Sequence, residues 1–407
     1  MRTVVRWVFA AVVIVHGLIH LLGAVKGFGW AAVSELSTTP SPVASVAWLA
    51  ASVLLVTTGT LVLLKNRWWW VVGAVALVLS QILIFWTWAD AKAGVAANAL
   101  LLCGVVYGYA SDGPAGHRAR YRRLRTRALA RSVVAGVVTD ADLAELPHPV
   151  ARYVRRAGAI GRPRVSNFRA LIHGRIRGGP GKPWMRFTGE QVNTYGPTPS
   201  RVLLMDATMF GLPVDVLHAF VGPHATMQVR LCSLLRMVNA SGFDMDTAET
   251  VTMFNDLCVL APAALIGAPV RWHTIDDHRV RGEFTNGAHT IGAELVFDDA
   301  GGLVDFISDD RLRATPDGKD FVHQGWSTPI REVRTFGVRT VSAVGEARWH
   351  APEPEGTFAY LDFRVDAIAY NAAPGTAPDV AGDVRPVVSA DTGRSQSGIA
   401  AARSARN

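Results

Sequence analysis

The stretch from Val280 to Ile307 reads VRGEFTNGAHTIGAELVFDDAGGLVDFI. Val280, Gly282 and Phe284 lead into Asn286-Gly287, and Ile291, Ala293, Leu295 and Phe297 lead out. Residues of one character at every second position mark strands with one buried face, and Asn-Gly between two such runs is the strongest short hairpin signal. Asp298 to Gly302 turns the chain again, into Leu303 to Ile307. Three antiparallel strands with short connections form a meander, and this decides the class of the C-terminal half.

The same period extends outward. Ala170, Ile172 and Ile176 alternate with His173, Arg175 and Arg177, and Trp184 to Tyr195, Arg201 to Met209, Val214 to Phe220 and Thr226 to Val238 supply further strands. With runs near 331–344 and 357–370 this makes a sheet of about ten strands, near the limit at which open sheets curl. Thr247 to Ile266 breaks the pattern. It reads as a helix capped by Thr247, with Val251, Phe254, Cys258 and Ala261 on one face and Gly267-Ala268-Pro269 as its stop. Pro262 kinks or divides it. Largely apolar and embedded between strands, it is expected on a concave sheet face. Val150 to Arg156 reads as a short helix ending at Gly158, and 372–407, rich in Ala, Gly, Ser and Pro, is expected to be disordered.

Toward the N-terminus the period is lost in long apolar runs. Val4–Val25, Val43–Leu64, Trp68–Trp88 and Gly94–Ala110 approach or reach the roughly 20 residues that cross a bilayer. They account for a chain that is 50% hydrophobic, only 18% charged and of mean hydropathy +0.22. Tryptophans at 68–70 and at 86 and 88 suit the two interfacial belts of the third span. The expected fold is α+β: a four-helix transmembrane bundle (1–112), a basic juxtamembrane linker (113–144), a curled antiparallel half-barrel with an embedded helix (145–371), and the tail.

The net charge of +8 is concentrated in Arg118, Arg120, Arg122, Arg123, Arg125, Arg127 and Arg131. Directly after a membrane span, such a run points to anionic lipid headgroups on the bilayer surface as partners. With only Tyr121 interleaved, it does not suggest nucleic acid. Arg2, Arg6, Lys65, Arg67 and this run stand on one side of the spans, against Lys26 and Lys92 on the other. Under the positive-inside rule both termini and the sheet domain are expected in the cytoplasm, and the chain is expected to be multi-pass in the inner (plasma) membrane. Cys103, Cys232 and Cys258, odd in number and without close spacing, argue against disulfides or structural zinc.

No P-loop, GxGxxG, HExxH, GxSxG or EF-hand loop is present, so no reaction and no cofactor is assigned. His16 and His20 share one helix face at i, i+4. They are candidates for haem, metal or quinone contact, or for hydrogen bonds to Ser80, Gln81 or Asn98. Asn255, Asp256 and Cys258 form a dense polar cluster on the apolar helix, read either as a thiol site or as ties to sheet backbone beside a packed cysteine. Asp310 with Arg311, and Trp272 and Trp326, complete the candidate ligand contacts. The leading expectation is a membrane-anchored module binding a lipid or other apolar ligand at the inner leaflet. The alternatives are a redox protein using His16 and His20, and a protein-docking scaffold.

Several marks carry a resemblance. They are Leu146-Pro147-x-Pro149-Val150 with Tyr153; Glu249-Thr250-Val251-Thr252-Met253-Phe254-Asn255-Asp256-Leu257-Cys258 with Pro262; and Val270-Arg271-Trp272. Leu295-x-Phe297, Ser308-Asp309-Asp310-Arg311, Trp326-Ser327-Thr328-Pro329 and Tyr370-Asn371 complete the set. Over 146–371 the chain resembles an uncharacterised bacterial membrane-protein family defined by a conserved domain of unknown function. A looser likeness, in architecture, is to the half-barrel lipoprotein carriers of the LolA/LolB type, which implies a sheet that holds acyl chains. His16-Gly17-Leu18-Ile19-His20-Leu21-Leu22-Gly23 resembles the first helix of DoxX-like membrane proteins.

Overall fold

A computed structural model describes residues 3–34, 36–134, 136–315, 320–376 and 379–386. The chain divides into two compact units: Met1–Arg120, with which Arg230–Leu235 is grouped, and the remainder.

The first unit is helical. It comprises α1 (Thr3–Gly27), α2 (Pro42–Leu63), α3 (Trp69–Trp86), the short α4 (Trp88–Ala91) and α5 (Gly94–Asp112), and runs into α6 (His117–Arg131). Four of its segments are long and apolar enough to cross a membrane, matching the four expected spans. Close approach of α1 to α2 rests on glycine. A Cβ on Gly23 would fall 2.4 Å from the Trp48 ring, and one on Gly59 would fall 2.5 Å from the Ile14 side chain. Small residues at such crossings let helices approach and pack tightly.

The second unit opens with α7 (Asp140–Leu143) and α8 (His148–Arg156). Strands β1 (Asn167–Ile176), β2 (Met185–Thr194), β3 (Ser200–Met209), β4 (Leu212–Val221), β5 (His224–Leu231) and β6 (Leu235–Ser241) follow. Helix α9 (Phe243–Leu260) and a single 3-10 turn at Pro262–Leu265 interrupt them. Then come β7 (Val270–Thr274), β8 (Arg279–Asn286), β9 (His289–Phe297), β10 (Leu303–Ser308), β11 (Leu312–Ala314), β12 (Phe321–His323), β13 (Gly325–Ser327), β14 (Ile330–Phe336), β15 (Arg339–His350), β16 (Thr357–Tyr370) and β17 (Asp379–Pro386). Fifteen strands form one open sheet in the order β6-β5-β4-β3-β2-β1-β16-β17-β14-β15-β13-β10-β9-β8-β7, while β11 and β12 pair separately. The sheet is larger than the expected ten because 226–238 and 331–344 each fold into two strands, and because β7, β13 and β17 were not legible as alternations. β17 lies in the stretch expected to be disordered; residues 387–407 are outside those described.

The meander is as expected, with one correction. Asn286 pairs with His289, so the two-residue turn is Gly287-Ala288, and only Gly287 (φ +60°) has positive φ. That is the pattern of a turn needing glycine at its first central position. Asn286 instead ends the strand and its Nδ2 donates to the Gly222 carbonyl at 3.0 Å.

Helix α9 begins a turn earlier than Thr247, with Asp244 and Asp246 in its first turn, where carboxylates suit the helix dipole. Asp246 also accepts the Ala225 N–H at 2.6 Å. At the other end the chain divides at Pro262 into the 3-10 turn. The carbonyls left over at a helix C-terminus need donors. Tyr153 donates to the Cys258 carbonyl (2.8 Å) and Tyr370 to that of Leu260 (2.6 Å). Phe254 sits in the core against Phe284, Phe306 and Trp272, with ring centroids 5.2, 5.4 and 6.1 Å away.

The arginine run is helical, as α6. Its Tyr121 packs on Val202, Leu217 and Ala219, and Leu129 on Val192, Ala369 and Ala372. That turns Arg125 toward the sheet, where it donates to Glu190 Oε1 at 2.7 Å.

Candidate functional site

The residues singled out on α9 meet polar side chains from strands far away in sequence. Asp256 Oδ2 accepts from Gln191 Nε2 (2.6 Å), Asn193 Nδ2 (3.2 Å) and Arg201 Nε (2.6 Å). Arg201 Nη1 lies 3.1 Å from His218 Nδ1 and 3.6 Å from Glu249 Oε2. His218 Nε2 is 3.0 Å from Glu249 Oε2, and Arg311 Nη2 is 3.1 Å from Glu249 Oε1. The Arg311 guanidinium also lies over the Trp326 and Trp349 rings, 5.7 and 6.0 Å from their centroids, and Trp326 Nε1 donates to Tyr360 Oη at 3.1 Å.

This cluster is almost wholly removed from water: Glu249 is 1% exposed and Arg201 7%. Two guanidinium groups, of Arg201 and Arg311, face two carboxylates, of Asp256 and Glu249. Burial alone would raise the Glu249 carboxyl. His218, Arg311 and Arg201 more than offset it and hold the group well below its ordinary 4.5. Chemically the arrangement fixes a helix to a sheet through buried ion pairs.

Each expected site residue now has a place. Asp256 ties α9 to side chains of β2 and β3, not to sheet backbone, and Asn255 Nδ2 donates at 3.0 Å to Thr328 Oγ1, between β13 and β14. Cys258 is fully buried, and burial pushes its thiol well up, which suits a packed cysteine and not a nucleophile. Asp310 and Arg311 do not pair with each other. Asp310 accepts the Gly292 N–H at 2.6 Å, while Arg311 reaches Glu249. Trp326 joins the cluster and Trp272 lies apart, against Phe254. Sequence reading missed Gln191, Asn193, Arg201 and His218. The available signal was a set of polar residues at inward strand positions, visible only once strand register is known.

In the helical unit His16 and His20 lie ring to ring, centroids 4.5 Å apart. His20 Nδ1 donates to the His16 carbonyl (3.0 Å), leaving Nε2 to accept from the Ser80 hydroxyl (2.9 Å). His16 Nε2 donates to Asn98 Oδ1 (3.0 Å), and the Asn98 amide donates to Gln81 Oε1 (3.0 Å). Of the three partners expected for the pair, Ser80 and Asn98 bond to the imidazoles, and Gln81 is reached only through Asn98. Among the described residues no three His, Cys, Asp or Glu side chains converge as a metal site needs. The two imidazoles border a cavity of about 490 Å³, whose other walls include Val12, Val15, Ile19, Trp48, Ile84 and Ala97.

An open antiparallel sheet locked by buried charges to an apolar helix defines a helix-filled half-barrel. The chain belongs to the family of unknown function DUF6544, whose profile matches residues 136–363; this agrees with the resemblance carried by the sequence marks. Among solved structures, one similar chain is a domain from Vibrio parahaemolyticus described as an outer membrane lipoprotein-sorting protein. The TM-score is 0.31 at 7% identity over 50% of this chain and 85% of that one. Another is a DUF1329 family protein from Desulfovibrio piger ATCC 29098, with a TM-score of 0.25 at 10% identity over 60% of this chain and 96% of that one. Neither likeness bears on function. No curated protein matches the sequence.

Proposed function

We propose that the protein is a membrane-anchored module holding a lipid or other apolar ligand, bound in its helical unit. The supporting observation is the cavity beside His16 and His20. Its volume falls in the range of small-molecule sites, and its walls are mostly apolar with a few convergent polar groups. Leu36 and Asp90 also border it. It therefore lies toward the helix ends that carry Lys26 and Lys92; on the charge counts that side is the outer one, so we propose the ligand there and not at the inner leaflet. The concave sheet face is a weaker candidate, since Phe254 and its aromatic neighbours occupy it. Because both imidazoles border the cavity, a quinone-type ring is a second reading; a haem or metal would first have to displace Ser80 and Asn98 from the imidazoles.

Organic extraction of the detergent-purified full chain, followed by mass spectrometry, tests the reading. An apolar compound should accompany the wild type. Ala97→Phe, which fills the cavity, should lower its occupancy by about tenfold, as an overpacking penalty of 1–3 kcal/mol implies. Equal loading of both proteins, or no ligand in either, would rule this site out.

On charge counts, the same reading puts both termini and the sheet domain in the cytoplasm. Moving seven guanidinium groups across hydrocarbon is strongly disfavoured. A fluorescent protein fused after Asn407 should be bright and an alkaline phosphatase fusion at the same point inactive; the reverse pair reverses the orientation.

A further inference from the structure

The sheet face opposite α9 carries a second groove, of about 430 Å³, whose polar lining is His173, Arg175, Arg186, Arg331, Asp362 and Arg364, with Val344 and Phe363 among its apolar walls. Strand register explains how these residues meet. Arg186, Arg175, Asp362 and Glu346 stand directly opposite one another in a row across β2, β1, β16 and β15. Thr188, His173, Arg364 and Val344 form the adjacent row. Odd-numbered β1 residues point away from α9, because Phe168 and Ala170 of the same strand are in the core.

The charge in this groove is out of balance. Four guanidinium groups line it against one carboxylate. That carboxylate, on Asp362, is already shared by Arg175 and Arg331. The nearby Glu346 is taken by Arg331 and Arg348, and His173 by Asp366 at 2.8 Å. Arg175 also lies over the Trp184 ring, 5.0 Å from its centroid. Among the described residues, Arg186 and Arg364 are left with no carboxylate. Arg186 moreover stands directly opposite Arg175, and like charges at that position are destabilising. Folding alone gives no reason for such a pair.

We infer that this groove binds a phosphate-bearing anion, with Arg186 and Arg364 as its principal contacts and Arg175 and Arg331 completing the charge. One strand, β1, lies between those of Arg186 and Arg364, and the two stand one row apart, so their backbones are about 12 Å from each other, a gap two arginine side chains can close from both sides. The guanidinium fork donates two parallel hydrogen bonds to phosphate oxygens. A phosphate neutralises the three-charge excess better than a single carboxylate. The anion is either a free phosphate ester or a phospholipid headgroup.

Thermal melts of the full chain in neutral detergent separate these sources. One arm adds inorganic phosphate or glycerol 3-phosphate at constant ionic strength, and the other adds dioleoyl phosphatidylglycerol against phosphatidylcholine in mixed micelles. Wild type should be stabilised in at least one arm, and the responding arm names the source. The double variant Arg186→Gln with Arg364→Gln should melt no lower than wild type without anion, since repulsion is relieved. It should bind about tenfold more weakly or worse, as expected for losing charged hydrogen bonds. Arg186→Lys with Arg364→Lys keeps the charge but loses the forks, and should recover only part of the affinity; it serves as the test should the glutamine variant not fold. No response of wild type in either arm at millimolar anion, or an undiminished response in the variants, overturns the inference.

Discussion

Replacing Glu249 by alanine is expected to destabilise the sheet unit by about 3–5 kcal/mol, the usual consequence of removing one partner from a buried ion network. Glu249 is the point where Arg201, His218 and Arg311 meet. Without it, two guanidinium groups are left with Asp256 alone, inside a region with almost no water. The change should appear as an earlier urea transition, followed by the far-ultraviolet circular dichroism of the sheet. A shift below about 1 kcal/mol, the scale of an exposed pair, would mean that water reaches the cluster and that it does not lock α9.

The same residue fixes a pH dependence. Its folded carboxyl titrates well below the ordinary 4.5, so its contribution is fully present above pH 4.5. The contribution is lost as pH falls below that value toward the folded pKa. The stability gap between wild type and Glu249→Ala should therefore be constant near neutrality and narrow in acid. A gap that instead widens below pH 4.5 would contradict the ionised state assigned to the group.

The fold was legible where chemistry is local. Alternation at Val280–Phe284 and Ile291–Phe297 needs no knowledge of partners, and unbroken apolar runs mark candidate membrane spans by length alone. The turn was misplaced by one residue because Asn-Gly and Gly-Ala both permit a two-residue hairpin, and only pairing decides between them. The ionic cluster was half legible. Asp256 and Arg311 stand out as polar residues in apolar surroundings. Arg201 and His218 look like ordinary members of alternating strands, and a one-residue slip in register would have put both on the outer face. The glutamate that gathers them was visible only as part of a motif, without its partners. The anion groove escaped notice for the same reason: Arg175 and Arg186 are separated by a turn in sequence and become neighbours only through β1–β2 pairing.

Phe254→Ala should have an effect of similar size, about 3–5 kcal/mol, because it removes a large core side chain and leaves a void the surroundings only partly fill. The ring is buried and stacks on Phe284 with an interplanar angle of 8°. A Cβ on Gly282 would come within 2.8 Å of it, so β8 has been shaped to admit it. The void should be apolar and dry, of the kind that takes up benzene or xenon, and either additive should restore part of the lost stability. The variant also separates two locations for an apolar ligand. If the ligand lies in the helical unit, Phe254→Ala leaves the amount that copurifies unchanged while Ala97→Phe reduces it. If α9 is instead a plug that leaves the sheet when a ligand enters, Phe254→Ala raises the amount bound and Ala97→Phe does nothing. The two variants therefore move ligand content in ways that cannot both come from one site.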